Sequence, residues 1–158
     1  MINIETWFPT FIGQEVLKDN EKIAKKIVPI CKEIQSKIKN KENNWVSKLY
    51  QTCHTYNIFN VYKKYDFQEF HCHPNRQLSV IYVLKSTKEN PKIIFERNEG
   101  LYTEEFDVDT KALSTKVRYS SIQGNLLIFR SSLHHCVEMK QDNSERISLA
   151  YNFNLKKP

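Results

Sequence analysis

At 158 residues the chain is long enough to bury one core and too short to suggest a second domain. With 40% hydrophobic and 12% aromatic residues it is too apolar for a disordered chain, and it has no run of 18 apolar residues to form a transmembrane helix. Its formal charge of +6 comes from 19 Lys and 5 Arg against 18 acidic residues. A nucleic-acid surface more often mixes Arg with aromatics, so a nucleic-acid partner is allowed but not indicated, and a membrane partner is not expected.

The opening "MINIETWFPTFIG" has no basic region ahead of an apolar stretch, so it does not read as a secretory signal and a cytoplasmic location is expected. Residues 19–41 place Ile23, Ile27, Ile30, Ile34 and Ile38 at helical spacing, with Lys and Glu filling the other face. Asp19 or Asn20 is positioned to cap this helix, and Pro29 is expected to kink or divide it. The apolar stripe is aliphatic without aromatic anchors, which favours docking on a sheet over lying on a membrane. Cys31, Cys53, Cys72 and Cys136 form no CxxC pair and read as free thiols.

Beyond "KENN" the period changes to two. "YNIFNVYKKY" (56–65), "LSVIYVLK" (78–85), "KIIFER" (92–97), "NLLIFR" (125–130), "LHHCVEM" (133–139) and "RISLAYNFNL" (146–155) read as strands separated by short turn-rich links. Residues 99–121 are the least readable and suggest a hairpin or a loop. A helix followed by about seven such strands predicts a mainly β sandwich or barrel backed by helix. The expected organisation is a single domain over 1–158, with 1–48 as N-terminal segment and helices and 49–158 as the β core. In the last strand, Ile147, Leu149, Tyr151, Phe153 and Leu155 share one face, and Arg146, Ser148, Ala150, Asn152 and Asn154 the other. The second face is either a solvated surface or, in a closed sheet, a pocket wall whose Arg and Ser both donate to a carboxylate.

His71 and His73 in "DFQEFHCHPNRQ" are two residues apart, so on an extended segment both rings point to one side. Such a spacing suits two adjacent positions around a metal, although a His-x-His pair alone is more often metal-free. His134 and His135 follow about 60 residues later on another expected strand, and Arg146 comes 11 residues after His135.

In that order, these residues resemble the Fe(II)- and 2-oxoglutarate-dependent oxygenases, in particular a group of short oxygenases from phage and marine bacterial genomes. "IETWFPT" resembles that group's N-terminal signature, "FQEFHCHPNRQLSVIYVL" its first metal motif, "GNLLIFRSSLHHCVEM" its second and "RISLAYNFN" its closing strand. The resemblance implies a double-stranded β-helix, or jelly roll, with N-terminal helices packed on the outside. It implies a hydroxylase acting on a small molecule or a protein, with Fe(II) as metal and 2-oxoglutarate as co-substrate, in the host cytoplasm if the gene is a phage's. It makes His71 and His135 iron ligands, Arg146 the partner of the distal carboxylate of 2-oxoglutarate and Ser148 its neighbour. Asn60, Tyr62 and Tyr82 are weaker pocket candidates, and 99–121 and the stretch after Cys53 would be substrate-side loops.

Two positions depart from the pattern. His73 stands where the wider superfamily has a carboxylate, so it is either a third ligand or is replaced by Glu69, expected on the His71 face, or by Asp66. Val80 stands where relatives tend to have Gly, which would narrow the pocket. Two other readings stay open: a three-His, cupin-like dioxygenase without 2-oxoglutarate chemistry, and a non-enzymatic binding module.

Overall fold

The computed structural model describes residues 10–37, 54–56, 59–87, 91–96 and 115–156. In chain order these form β1 (Ile12–Val16), α1 (Asn20–Lys37), β2 (His54–Tyr56), β3 (Phe59–Tyr62), β4 (Gln68–His71), β5 (Leu78–Lys85), β6 (Ile93–Glu96), β7 (Lys116–Tyr119), β8 (Asn125–Arg130), β9 (His134–Val137) and β10 (Arg146–Phe153). A major sheet runs in the order β1-β8-β5-β10-β3-β2 and a minor sheet in the order β4-β9-β6-β7, with every pairing antiparallel. From β3 to β10 consecutive strands cross between the two sheets except at β6–β7, which pair with each other in the minor sheet, and this is the double-stranded β-helix that the resemblance implies. β1, β2, β4 and β7 are additional to the strands read from periodicity. The last of them lies in the hard-to-read middle segment, of which 99–114 is outside the described residues.

The core divides into two clusters on either side of the major sheet, as period-two alternation in β5, β8 and β10 requires. Tyr62, Ile81, Ile93, Phe95, Leu127, Phe129, Leu133 and Val137 fill the space between the sheets. Phe59, Val61, Tyr82, Leu84 and Ile147 face the other way, against Cys31 and the half-buried Ile23, Ile27 and Val28 of α1. Burying one such side chain fully stabilises the fold by about 1.5–3 kcal/mol.

α1 corrects two expectations. Its buried face runs through Ala24 and Cys31, whereas Ile30 and Ile34 are exposed, so the isoleucine stripe winds off the sheet; Ile38 lies outside the described residues. Pro29 does not divide the helix, which continues to Lys37. Pro29 and Lys25, whose carbonyl loses its amide partner there, are both exposed, so water is available to that carbonyl. Glu145 ties the helix down, pairing with Lys32 and, at 3.5 Å, with Lys85. At the N-terminal end Gly124 (φ 86°) packs against Asn20 ahead of β8, and a Cβ there would come within 2.5 Å of the Asn20 side chain.

Candidate metal centre

His71 closes β4 and His135 lies opposite it on β9 as its register partner, so both rings point between the sheets. In both, Nδ1 lies 2.9 Å from the backbone carbonyl two residues upstream, that of Glu69 for His71 and that of Leu133 for His135. A carbonyl only accepts, so Nδ1 carries the proton in each ring and Nε2 keeps its lone pair. This is the outer hydrogen bond that orients a metal-binding histidine. His73 follows in the link after β4, its backbone N–H donating to Ser131 O at 2.8 Å.

The three rings converge. Centroid separations are 4.2 Å for His71–His135, 5.0 Å for His71–His73 and 5.2 Å for His73–His135. One nitrogen from each lies within 4.8 Å of the other two. Neighbouring ligands held at about 2.1 Å from one ion are about 3 Å apart, so the rings need to draw together only modestly. Burial holds all three imidazoles below their ordinary pKa: His71 is lowered, His73 stands at about 4, and His135, 2% exposed, is lowered well below 6.5 with its neighbouring imidazoles adding to the effect. At neutral pH the trio is uncharged, the form that binds a metal.

Neither reserve carboxylate joins this group among the described residues. Asp66 instead accepts the Lys63 N–H at 2.8 Å and staples a turn. Glu69 is displaced by a β-bulge: Gln68 pairs with Val137 and His71 with His135, so three steps on β4 match two on β9. Strict alternation would have put Glu69 on the His71 side. With the bulge Gln68 takes that place, its amide nitrogen 3.3 Å from His71 Nε2.

Arg146 begins β10 at 0% exposure. Its Nη1 donates to Ser148 Oγ at 3.1 Å, and its guanidinium lies 4.7 Å from the Tyr62 ring centroid. Tyr62 is its register partner on β3, and Asn60 is the partner of Ser148, so these four residues share the inner face. Tyr82 does not belong with them. It pairs with Leu149 and packs in the cluster under α1, its buried hydroxyl lacking a hydrogen-bond partner among the described residues. Val80 has the same parity as Tyr82 and so faces outward, where it does not narrow the pocket; Ser79 faces inward and bonds Ser131 and Asn152.

Sequence reasoning missed three contributors. Phe95 stacks on His135 at 5.8 Å and Phe129 meets it edge-on at 4.8 Å, together fixing the plane of that ring. Both sit in strands where an apolar residue reads simply as core. Gln68 was missed because nothing in "QEFH" announces a bulge.

Residues 59–152 match a family model described as "Putative 2OG-Fe(II) oxygenase". The chain belongs to the 2OG-Fe(II) oxygenase family. No curated protein matches its sequence. Among solved structures, a prolyl-4-hydroxylase from Pseudomonas putida is similar with a TM-score of 0.60 at 12% identity, over 92% of this chain and 93% of that one. A 2OG-Fe(II) oxygenase-family oxidoreductase from Burkholderia pseudomallei gives a TM-score of 0.47 at 17% identity, over 60% of this chain and 40% of that one. At 12% identity the likeness to the prolyl-4-hydroxylase shows the fold alone.

The oxygenase family uses Fe(II) and 2-oxoglutarate, and the residues present suit both. Three unprotonated imidazole nitrogens form a donor set for a divalent first-row ion. A buried guanidinium beside a hydroxyl forms one for a carboxylate. No helix among the described residues is long and apolar enough to cross a membrane.

Proposed function

We propose that this oxygenase is a hydroxylase in which His71, His73 and His135 hold the iron while Arg146 and Ser148 hold the far carboxylate of 2-oxoglutarate. The observation that carries this reading is the three-histidine cluster, set on the same inner space as a fully buried arginine. When bound, iron and 2-oxoglutarate would supply the oxidising chemistry with molecular oxygen as the oxidant, one oxygen atom going to the substrate and the other into the succinate that 2-oxoglutarate becomes on losing carbon dioxide. The chain supplies everything around it. The Nδ1–carbonyl hydrogen bonds fix two imidazoles before metal arrives, and Phe95 and Phe129 exclude water from one side of His135. Arg146 offers its charge where burial makes a carboxylate bond strong, and Tyr62 braces the guanidinium from below.

Three neutral ligands leave the ion's positive charge uncompensated by the protein, which strengthens the pull on the anionic co-substrate. An all-histidine site also suits a cupin-like dioxygenase that needs no 2-oxoglutarate. The buried Arg146–Ser148 pair favours the first reading, since such chemistry has no use for a dicarboxylate anchor. The substrate we assign by class only, a small molecule or a protein residue, in the cytoplasm; the Lys-rich charge does not call for a nucleic acid.

The test is anaerobic reconstitution with Fe(II) followed by 2-oxoglutarate. A weak visible charge-transfer band that disappears in His135→Ala and Arg146→Ala supports the proposal. Iron binding without the band, unchanged by Arg146→Ala, would shift the assignment to the dioxygenase without a keto-acid co-substrate.

A further inference from the structure

The bulge in β4 places Gln68 at the centre of a buried hydrogen-bonded chain. Tyr62, Gln68 and His71 are 1%, 8% and 6% exposed. Tyr62 Oη donates to Gln68 Oε1 at 2.9 Å, and Gln68 Nε2 lies 3.3 Å from His71 Nε2. His71 Nδ1 in turn lies 2.9 Å from Glu69 O. Only one arrangement of protons satisfies every member. The Glu69 carbonyl must accept, so His71 is protonated on Nδ1 and its Nε2 is an acceptor. The Gln68 amide then donates to Nε2, and its oxygen faces the Tyr62 hydroxyl.

The imidazole has a single lone pair, on Nε2, and that lone pair is both the acceptor for Gln68 and the donor a metal requires. The amide and the ion are therefore mutually exclusive on His71. We propose that Gln68 is a latch on metal loading: it caps His71 in the metal-free protein and must turn away for the ion to enter, with Tyr62 holding the latch in its closed orientation. Metal-free, the latch donates to the buried Nε2 and keeps the His71 ring in its ligating tautomer. Metal-bound, the amide gives up that bond, so the latch lowers affinity. Because Tyr62 also lies under the Arg146 guanidinium, the latch joins the co-substrate anchor to the metal site through two side chains. This inference rests on the assignment of His71 and His135 as metal ligands.

The test is Co(II) titration of the metal-free protein, followed by the visible ligand-field spectrum and by calorimetry, with wild type, Gln68→Leu, Tyr62→Phe and His135→Ala. Gln68→Leu is expected to bind Co(II) roughly three- to tenfold more tightly, the worth of one buried neutral hydrogen bond, with the form of the spectrum unchanged. Its metal-free melting temperature falls more than its Co(II)-bound one. Tyr62→Phe keeps the amide but loses the hold on it, and moves affinity the same way by less. Weaker binding or an altered spectrum in Gln68→Leu would overturn the proposal, since it would make the carboxamide a ligand; unchanged affinity in a folded Gln68→Leu overturns it as well. His135→Ala separates the two readings: if it binds Co(II) as wild type does, the metal site itself is misassigned. If it loses binding while Gln68→Leu shows no gain, only the latch fails.

Discussion

His71 and His135 face each other across β4 and β9 with ring centroids 4.2 Å apart, and the same local device, Nδ1 held at 2.9 Å by the carbonyl two residues upstream, orients both. His73 completes the trio from a link rather than a strand and is only half-buried. A graded result follows. His135→Ala should weaken Co(II) or Fe(II) binding beyond the roughly 10–100-fold that loss of an outer-shell partner costs. His73→Ala should weaken it less, and His73→Asp should keep binding by returning a carboxylate to the face. Metal affinities by calorimetry check the order; His73→Ala binding as wild type would remove His73 from the ligand set.

Arg146 is buried at 0% exposure, bonded to Ser148 and stacked over Tyr62. Lys at this position keeps a charge but neither the planar fork nor the stacking surface. Arg146→Lys is therefore expected to raise the 2-oxoglutarate Kd roughly 10–100-fold, the worth of a charge-assisted hydrogen bond or two. Titration of the Fe(II)-loaded protein with 2-oxoglutarate reads this directly. An unaltered Kd would place the dicarboxylate elsewhere.

Much of this site was legible in the chain, for a physical reason. His71 and His135, and likewise Arg146, Ser148, Asn60 and Tyr62, lie on strands where a period of two decides which residues share a face, and the register pairs them as that period requires. Legibility ended where the period breaks. The bulge between Gln68 and His71 exchanged Glu69 for Gln68, a local backbone event without a compositional mark. Tyr82 and Val80 were misplaced for another reason. Alternation says which residues of β5 go together but not which set faces inward, because α1 makes the outer face as apolar as the inner one. The isoleucine stripe was misplaced similarly, since sheet curvature and helix register set the docked face and neither is local.

The buried histidines also make stability depend on pH. Burial lowers His71, places His73 at about 4 and holds His135 well below its ordinary value, so between about 6.5 and 4 the unfolded chain binds protons that the folded chain refuses. Stability of the metal-free protein is then full above about 6.5 and declines as pH falls through that window. A second decline belongs to Asp142, whose bond to the buried Lys140 holds its carboxyl at about 2; that contribution is present above about 3.8 and is lost as pH falls towards 2. Melting temperatures of the metal-free protein from pH 8 to 3 check both. A flat profile between about 6.5 and 5 would mean that the rings accept protons in place.

Gly124 tests how the helix is set on the sheet. Its backbone adopts φ 86°, a conformation that an L side chain rarely takes, and its N–H donates to Val83 O at 2.8 Å while its carbonyl accepts from Leu17 N at 3.0 Å. An added Cβ would meet Asn20 Cβ at 2.5 Å and Cγ at 2.7 Å, where α1 begins. Two penalties therefore coincide, backbone strain and a clash with the first turn of the helix. Gly124→Ala is expected to destabilise the protein by about 2 kcal/mol or more, seen as a lower urea midpoint with an unchanged slope. Asn20→Ala leaves Asn20's own Cβ in place and does not relieve the 2.5 Å contact, whereas Asn20→Gly removes both atoms. In the Gly124→Ala background, Asn20→Gly should then recover the steric part of the loss and leave the strain from φ. Equal destabilisation with and without Asn20→Gly would assign the whole effect to the backbone.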